Sequence, residues 1–153
     1  MKKGLYILVP VLFFVIISYL LPNEKVTTET VSVPMPVDAV TRVMTNQQEW
    51  AKWFPGTKKN DSTYLYYEAP ITIHKVLMNG FKATMINKDM NISLDFSFIA
   101  GKNARTDFTL NTVMKLSFNP ILRFKQFLSL NAAEDDSKRL LYQIQDYFSD
   151  VLK

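Results

Sequence analysis

Cysteine is absent from this 153-residue chain, and histidine occurs once, at position 74. The first absence removes disulfides, thiolate nucleophiles, cysteine-ligated zinc and a lipidated-cysteine anchor, and leaves the redox compartment open. The second leaves any imidazole acid/base or metal scheme one residue to work with. Glycine is scarce: Gly56, Gly80 and Gly101 stand alone at turn positions, so no phosphate-cradling loop supports nucleotide binding. Excess charge is small as well. Lys2 and Lys3 account for half of the formal +4, and from residue 23 onward 16 Lys and Arg face 14 Asp and Glu. A nucleic-acid surface needs clustered basic residues in large excess, so DNA and RNA are discounted as partners.

Other catalytic chemistry finds little to stand on. His74 alternates onto the face away from Ile71, Ile73 and Leu77, where a solvated strand residue is expected, and Asp95 falls on a polar face by the same rule. No His/Asp/Glu cluster has ligand spacing, no carboxylate pair emerges, and Glu134-Asp135-Asp136 is accounted for by the positive end of a helix. We therefore expect no metal, no cofactor and no catalytic residue.

What the sequence does have is grease: 48% of its residues are hydrophobic, ample for one packed domain. Leu5 to Leu21 is an uncharged run of 17 residues preceded by Lys2-Lys3 and followed by Pro22. At about 1.5 Å per residue it reaches roughly 25 Å, slightly short of a bilayer core of about 30 Å, so it spans if its flanks help. Tyr6 and Tyr19 suit the headgroup region, and the two lysines can snorkel. The competing reading is a cleaved signal peptide, but Ile17-Ser18-Tyr19-Leu20-Leu21-Pro22 offers no small-x-small site. The expectation is a signal-anchor over residues 1–22, crossing through residues 5–21, with a single domain over 23–153. Basic residues before the helix keep the N-terminus cytoplasmic, which puts the domain outside the cell membrane.

Past the anchor, residues 23–30 read as a polar tether into a first strand, Thr30 to Val33, ended by Pro34-Met35-Pro36. Val37, Val40, Val43 and Met44 recur at helical spacing, and a second short helix around Gln47 to Phe54 carries Trp50, Trp53 and Phe54. From Thr63 the period becomes two. Ile71, Ile73, Lys75 and Leu77 alternate with Thr72, His74, Val76 and Met78, and Asn79-Gly80 marks a hairpin. Phe81, Ala83 and Met85, then Ile92, Leu94, Phe96 and Phe98, then Phe108, Leu110, Met114, Leu116 and Phe118 each mark one face of a strand. A sheet greasy on one side needs a cover. Asn119-Pro120 starts a helix through Ile121, Phe124, Phe127, Leu128 and Leu130. A second helical piece follows, with a stripe of Leu140, Leu141, Ile144, Tyr147, Phe148, Val151 and Leu152, joined to the first or kinked near Asn131.

This order resembles the START and polyketide-cyclase-like SRPBCC superfamily, in its membrane-anchored bacterial form. The resemblance is carried by Val31 to Val40, by Glu49-Trp50-Ala51-Lys52-Trp53-Phe54-Pro55 and by Asp136 to Ile144, and it covers nearly all of residues 26–153. It implies an α+β helix-grip fold: a curved antiparallel sheet wrapped on a long C-terminal helix, here preceded by one transmembrane helix. It also implies a cavity between sheet and helix for lipids, sterols, polyketides or other apolar ligands. The large side chains aimed there are Phe81, Met85, Phe96, Phe98, Phe108, Met114, Ile144 and Phe148, with Trp50, Trp53 and Phe54 at a pocket mouth or against headgroups. The bland alternative is that all eleven are core and staple. The functional expectation is a membrane-tethered, non-catalytic module binding a lipid or other apolar small molecule. The alternatives are a hydrolase or cyclase of the same fold, or an interaction domain with a filled core.

Overall fold

A computed structural model of the chain describes residues 2–150, and the side chains of residues 9–150. Helix α1 (Lys2–Leu20) leads into strand β1 (Glu24–Val33), helix α2 (Val37–Thr45), a 3-10 turn (Gln47–Glu49) and the single-turn helix α3 (Trp50–Trp53). Strands β2 (Thr57–Lys58), β3 (Thr63–Tyr66), β4 (Ala69–Leu77), β5 (Gly80–Asn87), β6 (Met90–Ala100) and β7 (Thr106–Lys115) follow, and helix α4 (Pro120–Asp150) closes the chain. The seven strands form one antiparallel sheet in the order β1-β7-β6-β5-β4-β3-β2.

The alternation of β5, β6 and β7 is as the sequence predicts. Phe81, Ala83 and Met85, then Ile92, Leu94, Phe96 and Phe98, then Phe108, Leu110 and Met114 are buried on one face. Burying a large apolar side chain stabilises by about 1.5–3 kcal/mol, so this face alone drives collapse onto whatever covers it. Gly80 is required by close approach: a Cβ there would run into the Phe96 carbonyl of the neighbouring strand. The hairpin loop is Met78-Asn79, one residue earlier than expected, because Gly80 already pairs with Leu77.

Several expectations are corrected. Residues 24–30 are not a free tether but most of β1, whose Thr-rich alternation pairs residue for residue with β7 from Glu24↔Lys115 to Val33↔Thr106. Lys75 does not share a face with Ile71, because the β4 register shifts between Ile73 and Lys75. Past that irregularity Val76 turns to the core and Lys75 to solvent. Phe118 is not core: it lies beyond the end of β7 and is 84% exposed.

The C-terminal pieces form one helix of 31 residues, capped by Asn119, whose Oδ1 accepts from the backbone N–H of Ile121 and Leu122. Its buried face runs Arg123, Gln126, Leu130, Ala133, Ser137, Leu140, Ile144 and Phe148. The stripe therefore begins on polar residues. Gln126 accepts from the Ser117 N–H at 2.6 Å and donates to the Asp89 carbonyl at 2.7 Å. The predicted Ile121 and Leu128 lie off that face and are exposed, while Val151 and Leu152 fall outside the described residues. Glu134-Asp135-Asp136 sits in mid-helix rather than at a positive end. Glu134 pairs with Lys25 and Lys138, Lys138 with Glu29 at 3.0 Å, and these bonds fasten α4 to β1.

Helix α1 contains Pro10 and packs its end on the start of α4. Among the described residues no helix is long and apolar enough to cross a membrane.

Candidate functional site

The eleven apolar candidates come from five elements and meet in one cluster. Trp50, Trp53 and Phe54 enter from α3 and its C-cap, Phe81 and Met85 from β5, Phe96 and Phe98 from β6, Phe108 and Met114 from β7, and Ile144 and Phe148 from α4. All are buried. Phe81 stacks on Phe96 with ring centroids 4.3 Å apart, Phe98 lies 5.8 Å from Phe108, and Phe108 lies 5.4 Å from Phe148. Phe148 reaches on to Trp53 at 5.9 Å. These separations are those of aromatic rings in direct packing.

Space opens at one end of this cluster. A cleft of about 510 Å3 lies between the end of α3, strand β3 and α4, lined by Lys52, Trp53, Phe54, Pro55, Gly56, Thr57, Leu65, Tyr66, Tyr67 and Gln143. Two of these stand apart. Trp53 and Tyr66 are each only 3% exposed, and among the described residues neither the Trp53 indole nitrogen nor the Tyr66 hydroxyl has a hydrogen-bond partner. A buried polar group left unmatched costs about 1–3 kcal/mol, so two in the lining of one cleft are a liability unless something else meets them. The indole N–H only donates, and the phenol does either. Burial pushes the Tyr66 hydroxyl up to about 12, with Tyr67 and Asp136 adding to the shift and Arg139 opposing it. Tyr66 is therefore a neutral donor throughout the physiological range.

Local sequence builds the cleft. Pro55-Gly56 ends α3, and Gly56 sits at φ +113°, where a Cβ would press into the Leu65 carbonyl. Only glycine allows the chain to pass that close to β3. On the rim, Tyr66 pairs with Ala69, so Tyr67-Glu68 is a two-residue turn. Both central residues carry positive φ, 44° and 69°, a conformation that side chains other than glycine and asparagine adopt at a cost. The strained turn holds the Tyr67 ring 4.8 Å from that of Tyr66.

A second cavity, of about 250 Å3, lies where the β5–β6 turn meets α4, and several of its polar side chains already pair within the protein. Asn87 donates to Asp136 at 2.9 Å, Lys125 pairs with Asp89, and Gln126 with the Asp89 carbonyl. His74 is exposed, its Nε2 2.9 Å from the Thr84 hydroxyl. Among the described residues no three His, Asp or Glu side chains gather where they could hold a metal ion.

Sequence reasoning named Trp53 and Phe54 but missed Tyr66, Leu65, Tyr67 and Gln143. The signal for Tyr66 was present: Thr63-Tyr64-Leu65-Tyr66 alternates, and Tyr64 and Tyr66 share the buried face. Gln143 carried no signal, because a lone glutamine on a helix reads as surface.

No protein-family model matches the sequence, and no curated protein does. The fold does have solved counterparts. The ZhuI aromatase/cyclase from Streptomyces sp. R1128 superposes with a TM-score of 0.55 at 13% identity, covering 85% of this chain and 96% of its own. The di-domain aromatase/cyclase StfQ of the steffimycin biosynthetic pathway gives 0.55 at 6% identity, over 84% of this chain and 52% of its own. An uncharacterized protein from Bacillus thuringiensis gives 0.53 at 8% identity, over 81% and 98%. At such identities the likeness is one of fold: an α+β helix-grip architecture, with a seven-stranded antiparallel sheet and a long C-terminal helix.

Proposed function

We propose that the protein is a membrane-tethered, non-catalytic binding module for an apolar small molecule or lipid that carries at least one oxygen acceptor. The observation that carries this reading is the pair of unmatched buried polar atoms, Trp53 Nε1 and Tyr66 Oη, on two residues that line the same cleft. An aromatic surface takes the ligand's hydrocarbon, and the two donors fix its carbonyl, hydroxyl or carboxylate oxygen. The fold is shared with proteins named aromatase/cyclases, whose products are by that name ring compounds, and this supports a largely apolar ligand class.

The tether rests on the uncharged run Leu5–Leu21 and on α1, whose exposed side chains from Val9 to Leu20 are apolar or aromatic. Lys2 and Lys3 favour a cytoplasmic N-terminus with the domain outside. One observation favours a second reading. The direct ring packing of Phe81, Phe96, Phe98, Phe108 and Phe148 suits an interaction domain whose core needs no ligand.

Native mass spectrometry of the detergent-extracted full chain decides between them. The binding reading expects an added small-molecule mass whose occupancy falls in Trp53→Phe and Tyr66→Phe; a bare wild-type chain that also takes up no fluorescent fatty acid contradicts it. Intact mass of the same material tests the anchor, which requires residues 1–22 to be retained.

A further inference from the structure

Where α1 meets the domain, the joint is built rather than loose. Ser18 donates to the Pro120 carbonyl at 2.8 Å, and the Tyr19 hydroxyl donates to the Phe118 carbonyl at 3.2 Å. Arg123, 2% exposed, donates from its guanidinium to the Leu21 carbonyl and, at 2.7 Å, to Asn23 Oδ1. Phe14 and Phe124 meet edge to face at 5.4 Å. The end of α1 is thereby fixed against the corner between β7 and α4.

Around that joint the surface is apolar without a cover. Phe118, Ile121 and Leu128 are 84%, 72% and 68% exposed, continuous along the chain with the fixed joint, and α1 exposes Leu12, Phe13, Ile16 and Leu20 beside it. An exposed apolar patch fixed beside the apolar side chains of α1 fits an interface whose interior is hydrocarbon.

We infer that the β7–α4 corner is itself a membrane-contact surface, with Phe118, Ile121 and Leu128 inserted among lipid headgroups beside α1. This rests on the membrane-tether reading above. The corner and the bonds from Ser18, Tyr19 and Arg123 set the domain's orientation on the bilayer, where a bare tether would let it swing.

The natural absence of cysteine makes the test clean. Phe118→Cys, Ile121→Cys and Leu128→Cys in the full chain each take an environment-sensitive fluorophore, with Met78→Cys as a distant exposed control and Phe13→Cys as the reporter of α1. All are reconstituted in phosphatidylcholine vesicles that carry either a headgroup-labelled quencher lipid, read at 118, 121, 128 and 78, or a mid-chain-labelled one, read at 13. The expected result is quenching at 118, 121 and 128 severalfold stronger than at 78. Quenching at 118 equal to that at 78, with Phe13→Cys still quenched by lipid, overturns the corner while the tether stands. No lipid quenching at 13 either overturns the tether with it. A signal at 118 that follows protein density rather than quencher density overturns the proposal in favour of self-association.

Discussion

Two tryptophans three residues apart on one short helix live in different worlds. Trp50 and Trp53 are both buried, their rings 5.1 Å apart, and both touch Phe81. Trp50 donates its indole N–H to the Met44 carbonyl at 2.8 Å and is closed in by Phe54, Tyr64 and Phe81. Among the described residues Trp53 has no partner for the same group, and it lines the open cleft together with Tyr66, which has none for its hydroxyl. Aromatic content does not separate packing from site, since both regions are rich in it. The unmatched donors do, because a folding core has no reason to bury a hydrogen-bonding group and leave it idle.

The largest effect expected is on the packed side. Phe81→Ala removes a ring that stacks on Phe96 and touches both tryptophans, and should cost about 3–5 kcal/mol in denaturant unfolding while adding no fatty-acid binding beyond that of wild type. A variant that loses little stability and gains binding would show that the core was a site after all. Next come the matched substitutions. Trp50→Phe leaves the Met44 carbonyl buried and unpaired and should cost about 1–3 kcal/mol beyond the loss of ring size. Trp53→Phe removes only an unmatched donor, so its stability loss should be clearly the smaller of the two. Equal losses in thermal unfolding would erase the distinction.

The rim supplies a change of opposite sign. Replacing Tyr67 by Asn together with Glu68 by Gly suits a turn with two positive φ angles and should raise stability by about 1–2 kcal/mol. The same pair should weaken ligand uptake, because Tyr67 lines the cleft. The smallest effect lies away from both regions, in the Lys25–Glu134–Lys138–Glu29 network. Hydrogen bonds from Lys25 and Lys138 hold the Glu134 carboxyl below its ordinary value of 4.5. A depressed carboxylate stabilises the fold above that ordinary value and loses the contribution as pH falls through the lowered one. Glu134→Gln should therefore narrow the stability difference between neutral and acidic solution, as read by urea midpoints across that range, and added salt should shrink it further.

How much of this was legible depended on whether neighbours in sequence or neighbours in space decided it. Strands β5, β6 and β7 declare themselves because alternation is a local signal and one face is buried. The N-cap at Asn119 is legible for the same reason. The register shift at His74 is not, since only pairing with β5 shows that Lys75 opposes Lys82 and Val76 opposes Phe81. The stripe of α4 was misread at its start because Arg123 and Gln126 are buried for the backbone groups they satisfy, which no hydropathy pattern reveals. The cleft was half legible. Trp53 and Phe54 stand out by type, whereas Tyr66 matters because its hydroxyl goes unmatched, a property that only the assembled fold possesses.

The central claim, that the Trp53–Tyr66 pair is a binding site and not faulty packing, is tested most directly by Tyr66→Phe. The substitution keeps the ring and deletes one oxygen. Titrating a fluorescent fatty acid into wild type and variant, with unfolding midpoints taken on the same samples, separates binding from folding. The account predicts an unfolding midpoint no lower than wild type and an affinity reduced by about 2- to 12-fold, the worth of one hydrogen bond of about 0.5–1.5 kcal/mol. Unchanged affinity, or a wild-type protein that binds no such probe, would contradict it.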